Sequence, residues 1–249
     1  MITSFLSDQC KEIILGSLLG DGSLKLYKPY RNARFSFRHS VHQQEYFHWK
    51  AEQLKEISAS EYFWLQKADG FGGEKLRYQS RASEALTDLY RLTHEKNRLN
   101  IRRKWLNLLT ARSLMIWWLD DGSVIGNGRR GVFCTDGFSY EKQRILAQYL
   151  KKVWDIKVVI GKIMRIREGK RYEYYRLWIR SSEGLKKFLR IILPYVKVES
   201  ILPKVIILYK DSQLQQRWIS EISNSTGFSM DIVKKHVDAK KAKWKHFRE

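Results

Sequence analysis

With 249 residues, 43% of them hydrophobic, the chain is long enough for one large domain or two small ones, each with its own core. The formal net charge of +21 is spread along the chain, and self-repulsion on that scale points to a polyanionic partner, most simply nucleic acid. No long apolar span suits a membrane, and Cys10 and Cys134 lie far apart with no Cys or His nearby at zinc spacing. Met1 to Leu6 lacks a basic stretch followed by an apolar one. These features argue against a membrane-spanning protein and suggest no disulfide framework or zinc site; an anionic membrane surface is the weaker alternative partner. An intracellular location is expected, in the cytoplasm, the nucleoid or an organelle matrix.

In chain order, Ile14 to Gly20 reads as an apolar helix stopped by Asp21-Gly22-Ser23. Leu24 to Tyr27 and Arg34 to Ser40 read as strands around a loop with Pro29 and Asn32. Gln43 to Ile57 has helical spacing, and Tyr62 to Gln66 and Leu76 to Arg81 are strands around the turn Asp69-Gly70-Phe71-Gly72-Gly73. Ser83 is placed to cap a helix running to Leu92. The order then recurs. Leu114 to Asp120 is a helix stopped by Asp121-Gly122-Ser123, Val132 to Thr135 a strand and Tyr140 to Val153 a helix. Ile156 to Arg167 and Tyr172 to Arg180 are strands, and a helix capped by Ser182 runs to about Ile192.

The repetition extends to single residues. Asp21 and Asp121 stand 100 positions apart, and Arg77 to Leu86 rhymes with Arg176 to Leu185 at an offset of 99, sharing two arginines, a Ser-Glu pair and a leucine. Two echoes at nearly one offset indicate a duplicated α+β unit of the order αββαββα. The expected division is 1–104, 105–211 and a basic helical tail over 212–249. An Asp-Gly pair alone is an ordinary turn signal; two pairs, each ending a matched apolar helix, point to catalysis. Gly16 and Gly20 allow close backbone approach, where the second helix has Ile116 and Asp120. Trp117 and Trp118 are expected in the core.

Ile14 to Gly22 and Leu114 to Gly122, with the lead-in Leu109 to Leu114, resemble the motifs of the single-chain, intron-encoded LAGLIDADG homing endonucleases. The resemblance spans roughly residues 10 to 205. It implies two pseudo-twofold-related half-domains with saddle-shaped antiparallel sheets, acting as a monomer on a long asymmetric double-stranded DNA site and leaving short 3′ overhangs. It implies Asp21 and Asp121 as metal-binding catalytic acids, with Gly20 and Asp120 at the metal through the backbone. Mg²⁺ suits such oxygen ligands, Mn²⁺ is expected to substitute, and Ca²⁺ to support binding without cleavage. The segment Glu199 to Val205 resembles the one that carries the family's basic helper and points to Lys204, although Pro203 replaces an aromatic residue there. In the first half the nearest residue is Arg98, with Lys96 as the alternative.

Strands that alternate basic and bulky residues suit the major groove. The residues assigned to DNA contact are Lys25, Arg34, Arg38, Lys75, Arg77, Arg81, Arg129, Arg130, Lys162, Arg165, Arg176 and Arg180. The alternative function on the same scaffold is an RNA maturase, with intron RNA as partner, or a non-cleaving DNA-binding protein. In the tail, Trp218 to Ser223 and Met230 to Lys243 read as helices around Gly227. Their spacing fits either a helix-turn-helix or a hairpin packed on the core.

Overall fold

Ser7 starts the first helix, its hydroxyl accepting the Cys10 N–H at 3.1 Å, in a computed structural model that describes residues 5–27, 29–68, 73–126 and 128–244. The turn expected at 69–73 lies, apart from Gly73, outside the described residues. The chain divides into two compact units, Met1–Asp120 and Asp121–Glu249.

The first unit runs α1 (Asp8–Leu18), β1 (Gly22–Lys25), β2 (Arg34–Ser40), α2 (Gln44–Gln53), β3 (Ser58–Gln66), β4 (Lys75–Ser80) and α3 (Glu84–Thr93). A two-residue hairpin follows, β5 (His94–Glu95) and β6 (Arg98–Leu99), then the short α4 (Arg103–Leu106) and α5 (Ala111–Asp121), whose last residue falls in the second unit. The sheet is antiparallel in the order β1-β2-β4-β3. Alternation sends Phe35, Phe37, Leu76 and Tyr78 inward, where Phe37 stacks on Tyr78 at 4.9 Å between ring centres and meets Phe47 of α2 at 5.2 Å.

Within the first unit α5 comes close to α1 at Gly16. A Cβ on Gly16 would stand 2.3 Å from the Ser113 carbonyl oxygen, so the two helices touch through backbone at this point. Trp117 and Trp118 are wholly buried, as core residues.

The second unit repeats the order: β7 (Gly122–Ile125), β8 (Arg130–Phe133), α6 (Tyr140–Trp154), β9 (Val159–Arg167), β10 (Lys170–Ile179) and α7 (Ser182–Ile192). Its sheet order, β7-β8-β10-β9, matches the first, and so does its register. Gly22 faces Phe37, which faces Tyr78; Gly122 faces Phe133, which faces Leu177. Arg77 and Arg176 therefore hold the same place in the two sheets, one residue before Tyr78 and Leu177.

Some element ends differ from expectation for local reasons. Asp155 takes a left-handed backbone (φ 51°) and the Ile156 N–H bonds back to the Leu150 carbonyl, so β9 begins only at Val159. Ser181, not Ser182, caps α7, accepting the Gly184 N–H.

The tail forms α8 (Ser212–Thr226) and α9 (Met230–Lys243). α8 is longer than its apolar stretch suggests because Asp211 caps it, accepting the Leu214 N–H at 2.7 Å. Gly227 turns the chain at φ 88°, and α9 buries Val233 and Val237. His236 pairs with Glu199 at 3.1 Å, and Lys240 donates to the carbonyls of Pro203 and Ile206 at 2.6 and 2.8 Å. This is the packed hairpin, with one face of α9 committed to its own unit. Among the described residues no helix is long and apolar enough to cross a membrane.

Candidate active site

Asp21 stands in the turn between α1 and β1, its side chain 39% exposed beside the buried imidazole of His39 on β2. His39 Nδ1 is 3.2 Å from a carboxylate oxygen of Asp21. Asp21 also borders a cavity of about 270 Å³ lined by Ser23, Lys25, Ser36, Phe37, Arg38 and Arg77. Apart from Phe37, these lining residues belong to the open face of the sheet, since residues 35, 37 and 39 of β2 and 76, 78 and 80 of β4 turn inward. Three neighbouring cations lie over aromatic rings, Lys25 over Tyr27, Arg34 over Tyr30 and Arg77 over Trp64. Among the described residues no carboxylate forms an ion pair with Lys25, Arg34, Arg38 or Arg77.

The side chain of Asp120 has a structural place of its own in the first unit. Its carboxylate is buried and accepts the Lys50 ammonium at 2.8 and 2.9 Å, the Tyr46 hydroxyl at 2.8 Å and the Asp21 backbone N–H at 3.3 Å. Burial, and then the Asp120 charge, push the Tyr46 hydroxyl well above its ordinary pKa, so it stays a donor. Lys50 also lies over the Phe37 ring at 4.7 Å. Gly20 leaves room for this arrangement, because a Cβ there would stand 2.5 Å from that of Asp120.

Ligand atoms of Asp21, His39 and Asp120 lie within 4.8 Å of one another, close enough to share one ion. The carboxylate of Asp120 is already occupied by donors, so Asp21, 39% exposed with His39 beside it, is the carboxylate nearer solvent. An exposed carboxylate facing a polar cavity fits a hydrated divalent cation. Sequence reasoning missed His39. The signal was its inward place on a strand one residue after Arg38, where an apolar side chain is the ordinary choice.

In the second unit Asp121 ends α5. Its carbonyl accepts the Cys134 N–H at 2.9 Å. Burial raises the Cys134 thiol pKa; Arg176 opposes the rise, Asp121 and Asp136 add to it, and Lys204 opposes it again, so these charges share one neighbourhood. Lys204 ends a short helical segment, Glu199–Lys204. Arg176 donates to Asp136 at 2.5 and 2.8 Å, and Arg165 reaches the same carboxylate at 2.7 Å. The Asp136 hydrogen bond holds the Arg176 guanidinium above its ordinary pKa.

The structure thus brings Asp21 together with Lys25, Arg38 and Arg77, and Asp121 with Arg176 and Lys204. Arg34, Lys75 and Arg77 share the open face of the first sheet, and Arg130, Arg165 and Arg176 that of the second. Lys162 is a correction. It pairs in register with Tyr175, on the side opposite Arg176, and forms an ion pair with Glu173. Arg81 donates to the Glu56 carbonyl at 2.8 Å, and Arg129 to that of Leu208 at 3.4 Å, so both hold loops. Arg180 is exposed just past β10. Arg98 stands exposed on β6, and Lys96 lies in the left-handed turn of that hairpin (φ 47°); neither lines the cavity at Asp21.

The LAGLIDADG DNA endonuclease family matches residues 11–188. Protein RecA of Mycobacterium gastri is 29% identical over 206 residues, covering 77% of this chain and 46% of that protein. The chain spans about half the length of the RecA relatives it matches. The DNA endonuclease I-ChuI of Chlamydomonas applanata is 24% identical over 210 residues, covering 77% of this chain and 92% of that protein. Among solved structures, the homing endonuclease I-WcaI bound to its DNA recognition sequence shares the fold, with a TM-score of 0.69 and 20% identity over 83% of this chain and 89% of that one.

Proposed function

This chain belongs to the LAGLIDADG DNA endonuclease family, and from that premise we propose that it is a site-specific homing endonuclease. It binds a long, asymmetric double-stranded DNA site and makes a Mg²⁺-dependent double-strand break with short 3′ overhangs. The observation that carries this reading is the repeated pairing of an acid at the head of the first strand with an arginine at one register position of the third, Asp21 with Arg77 and Asp121 with Arg176.

Asp21 and Asp121 would each hold a divalent cation, which supplies Lewis-acid stabilisation and a water of lowered pKa for phosphodiester hydrolysis. His39, buried beside Asp21, limits the directions that carboxylate can take. The guanidinium groups of Arg38 and Arg77 are placed to bind phosphate oxygens and the charge that grows on them in the transition state. Lys204 supplies a cation to the second site. Each site would serve one strand.

The test is a supercoiled plasmid carrying the uninterrupted insertion junction of the gene, incubated with Mg²⁺ or with EDTA. Linear product is expected only with Mg²⁺; its absence across a library of candidate junctions overturns the reading. Asp21→Asn and Asp121→Asn should each abolish double-strand cutting and leave DNA binding largely intact. Wild-type cutting by either variant overturns the site assignment.

A further inference from the structure

Resting on that DNA-cleaving reading, we propose that His39 is a nitrogen ligand to the cation held at Asp21, so that the first site takes a transition-metal ion such as Co²⁺ or Zn²⁺ in preference to Mg²⁺. The ring is almost wholly buried, and neither of its nitrogens has a hydrogen-bond partner among the described residues. A buried imidazole left in that state costs stability unless a ligand completes it. Nδ1 stands 3.2 Å from an Asp21 carboxylate oxygen, out of line for a hydrogen bond. Two ligand atoms each about 2.1 Å from one ion, at angles of about 90° to 109°, lie about 3.0–3.4 Å apart. The spacing of Nδ1 and the Asp21 oxygen falls in that range.

The ring is also held still for that role. Phe37 and Tyr46 pack against it at 5.4 and 5.0 Å between ring centres, and Phe47 meets it edge-on at 6.4 Å. Nε2 faces the Asp120 carboxylate at 3.8 Å, and Tyr46 and Lys50 hold that carboxylate in turn. With a cation between Nδ1 and Asp21, the ring proton sits on Nε2 beside the Asp120 charge, an arrangement that fixes the orientation of a metal-binding imidazole. Asp120 is then a positioning residue and not a ligand. Imidazole nitrogen suits Zn²⁺ and the late first-row ions, whereas Mg²⁺ prefers carboxylate and water oxygens. The second unit has no such nitrogen at the matching place. Phe37 and Phe133 hold one register position, facing Gly22 and Gly122, and two residues further on the first unit has His39 and the second Thr135. The buried Thr135 hydroxyl donates to Gln143 at 2.8 Å. The preference for a transition-metal ion therefore belongs to the first site.

Co²⁺ added to the full chain, with no DNA present, tests this. Proton NMR of a chain carrying isotope-labelled histidine reads which ring binds, because Co²⁺ moves the signals of a coordinated imidazole far outside their ordinary range. Calorimetry reads the affinity. One histidine ring is expected to shift, and that shift should vanish in His39→Gln and persist in His236→Gln. Co²⁺ should bind more tightly than Mg²⁺ in the wild type. His39→Gln should weaken Co²⁺ by about 10-fold or more, at least the loss seen when an outer partner of a ligand is removed, and should hardly change Mg²⁺. A wild-type chain with no shifted histidine ring, or a shift that persists in His39→Gln, overturns the nitrogen ligand. If the metal is nonetheless lost in Asp21→Asn, the acid keeps its role in the DNA-cleaving reading. Equal affinity for Co²⁺ and Mg²⁺ in the wild type overturns the preference. If Asp21→Asn changes the binding of neither ion, the first metal site of the DNA-cleaving reading fails as well.

Discussion

The Lys50 ammonium lies 2.8 Å from a carboxylate oxygen of Asp120, and neither side chain has any exposure to solvent. A pair this deep gains from its attraction but loses hydration on both sides, so its net value is small while its integrity matters greatly. Lys50→Met leaves the Asp120 carboxylate buried beside only neutral donors and His39. It should cost about 3–5 kcal/mol, measured by urea unfolding. Lys50→Met with Asp120→Leu should recover most of that stability. The double variant should still cut slowly at the first site, because Asp120 also accepts the Asp21 N–H. A Lys50→Met variant as stable as the parent would remove the ion pair from this account.

His39 Nδ1 is 3.2 Å from the Asp21 carboxylate while almost none of its ring reaches solvent. His39→Ala frees Asp21 to rotate away from its cavity. The expected result is accumulation of nicked plasmid, with one strand cut at the normal rate and the other slowed by about 10-fold or more, as for removal of a group that orients a ligand. DNA affinity in Ca²⁺ should hardly change. Equal slowing of both strands would show that His39 supports the fold at large instead of the first site.

Gly16 is where α1 meets α5 most closely. An alanine Cβ would sit 2.3 Å from the Ser113 carbonyl oxygen, a backbone atom that cannot swing aside, so the helices must part. Gly16→Ala should destabilise the first unit by about 1–3 kcal/mol or more, with a lower thermal midpoint.

The αββαββα order, both acids and the arginine echo were legible in the sequence because each is a local pattern repeated at one offset. The fate of Asp120 was not. Its partners Tyr46 and Lys50 lie 74 and 70 residues away, on a helix whose apolar stripe gave no sign that a lysine would point inward. His39 escaped for a related reason: on an alternating strand an inward histidine looks like core. Arg98 was placed from the resemblance alone, and the turn with left-handed Lys96 and Asn97 turns that stretch into a hairpin. Lys162 shows that a basic residue on a basic strand still has two faces to choose from, and only register decides.

Asp136 makes the two open faces unequal. It binds both Arg165 and Arg176, while Arg38 and Arg77 face each other across β2 and β4 with no acid forming an ion pair with either among the described residues. Asp136→Asn removes one negative charge and loosens both arginines. Binding to a random duplex should tighten, and its salt dependence should steepen by about one unit of slope. The counter-effect is loss of fixed guanidinium geometry, so discrimination between related sites should fall even as affinity rises. Unchanged salt dependence would mean that Arg165 and Arg176 do not reach the phosphates.

Lys240 gives the stability of the second unit a pH signature. Burial pushes its ammonium pKa down to about 7, from an ordinary value of 10.5. The charged groups around it are Lys204 and Glu199 on the segment beneath, and His236 and Lys243 on its own helix, with Glu199 engaged by His236. Between about pH 7 and 10.5 the unfolded chain holds this proton and the folded chain does not, so the contribution of Lys240 to stability rises with pH across that window. Lys240→Met should flatten this trend. Urea midpoints at about pH 7 and about pH 9 are sufficient to measure it. A wild-type midpoint that does not rise over this range, or rises equally in Lys240→Met, would show that Lys240 does not carry this linkage.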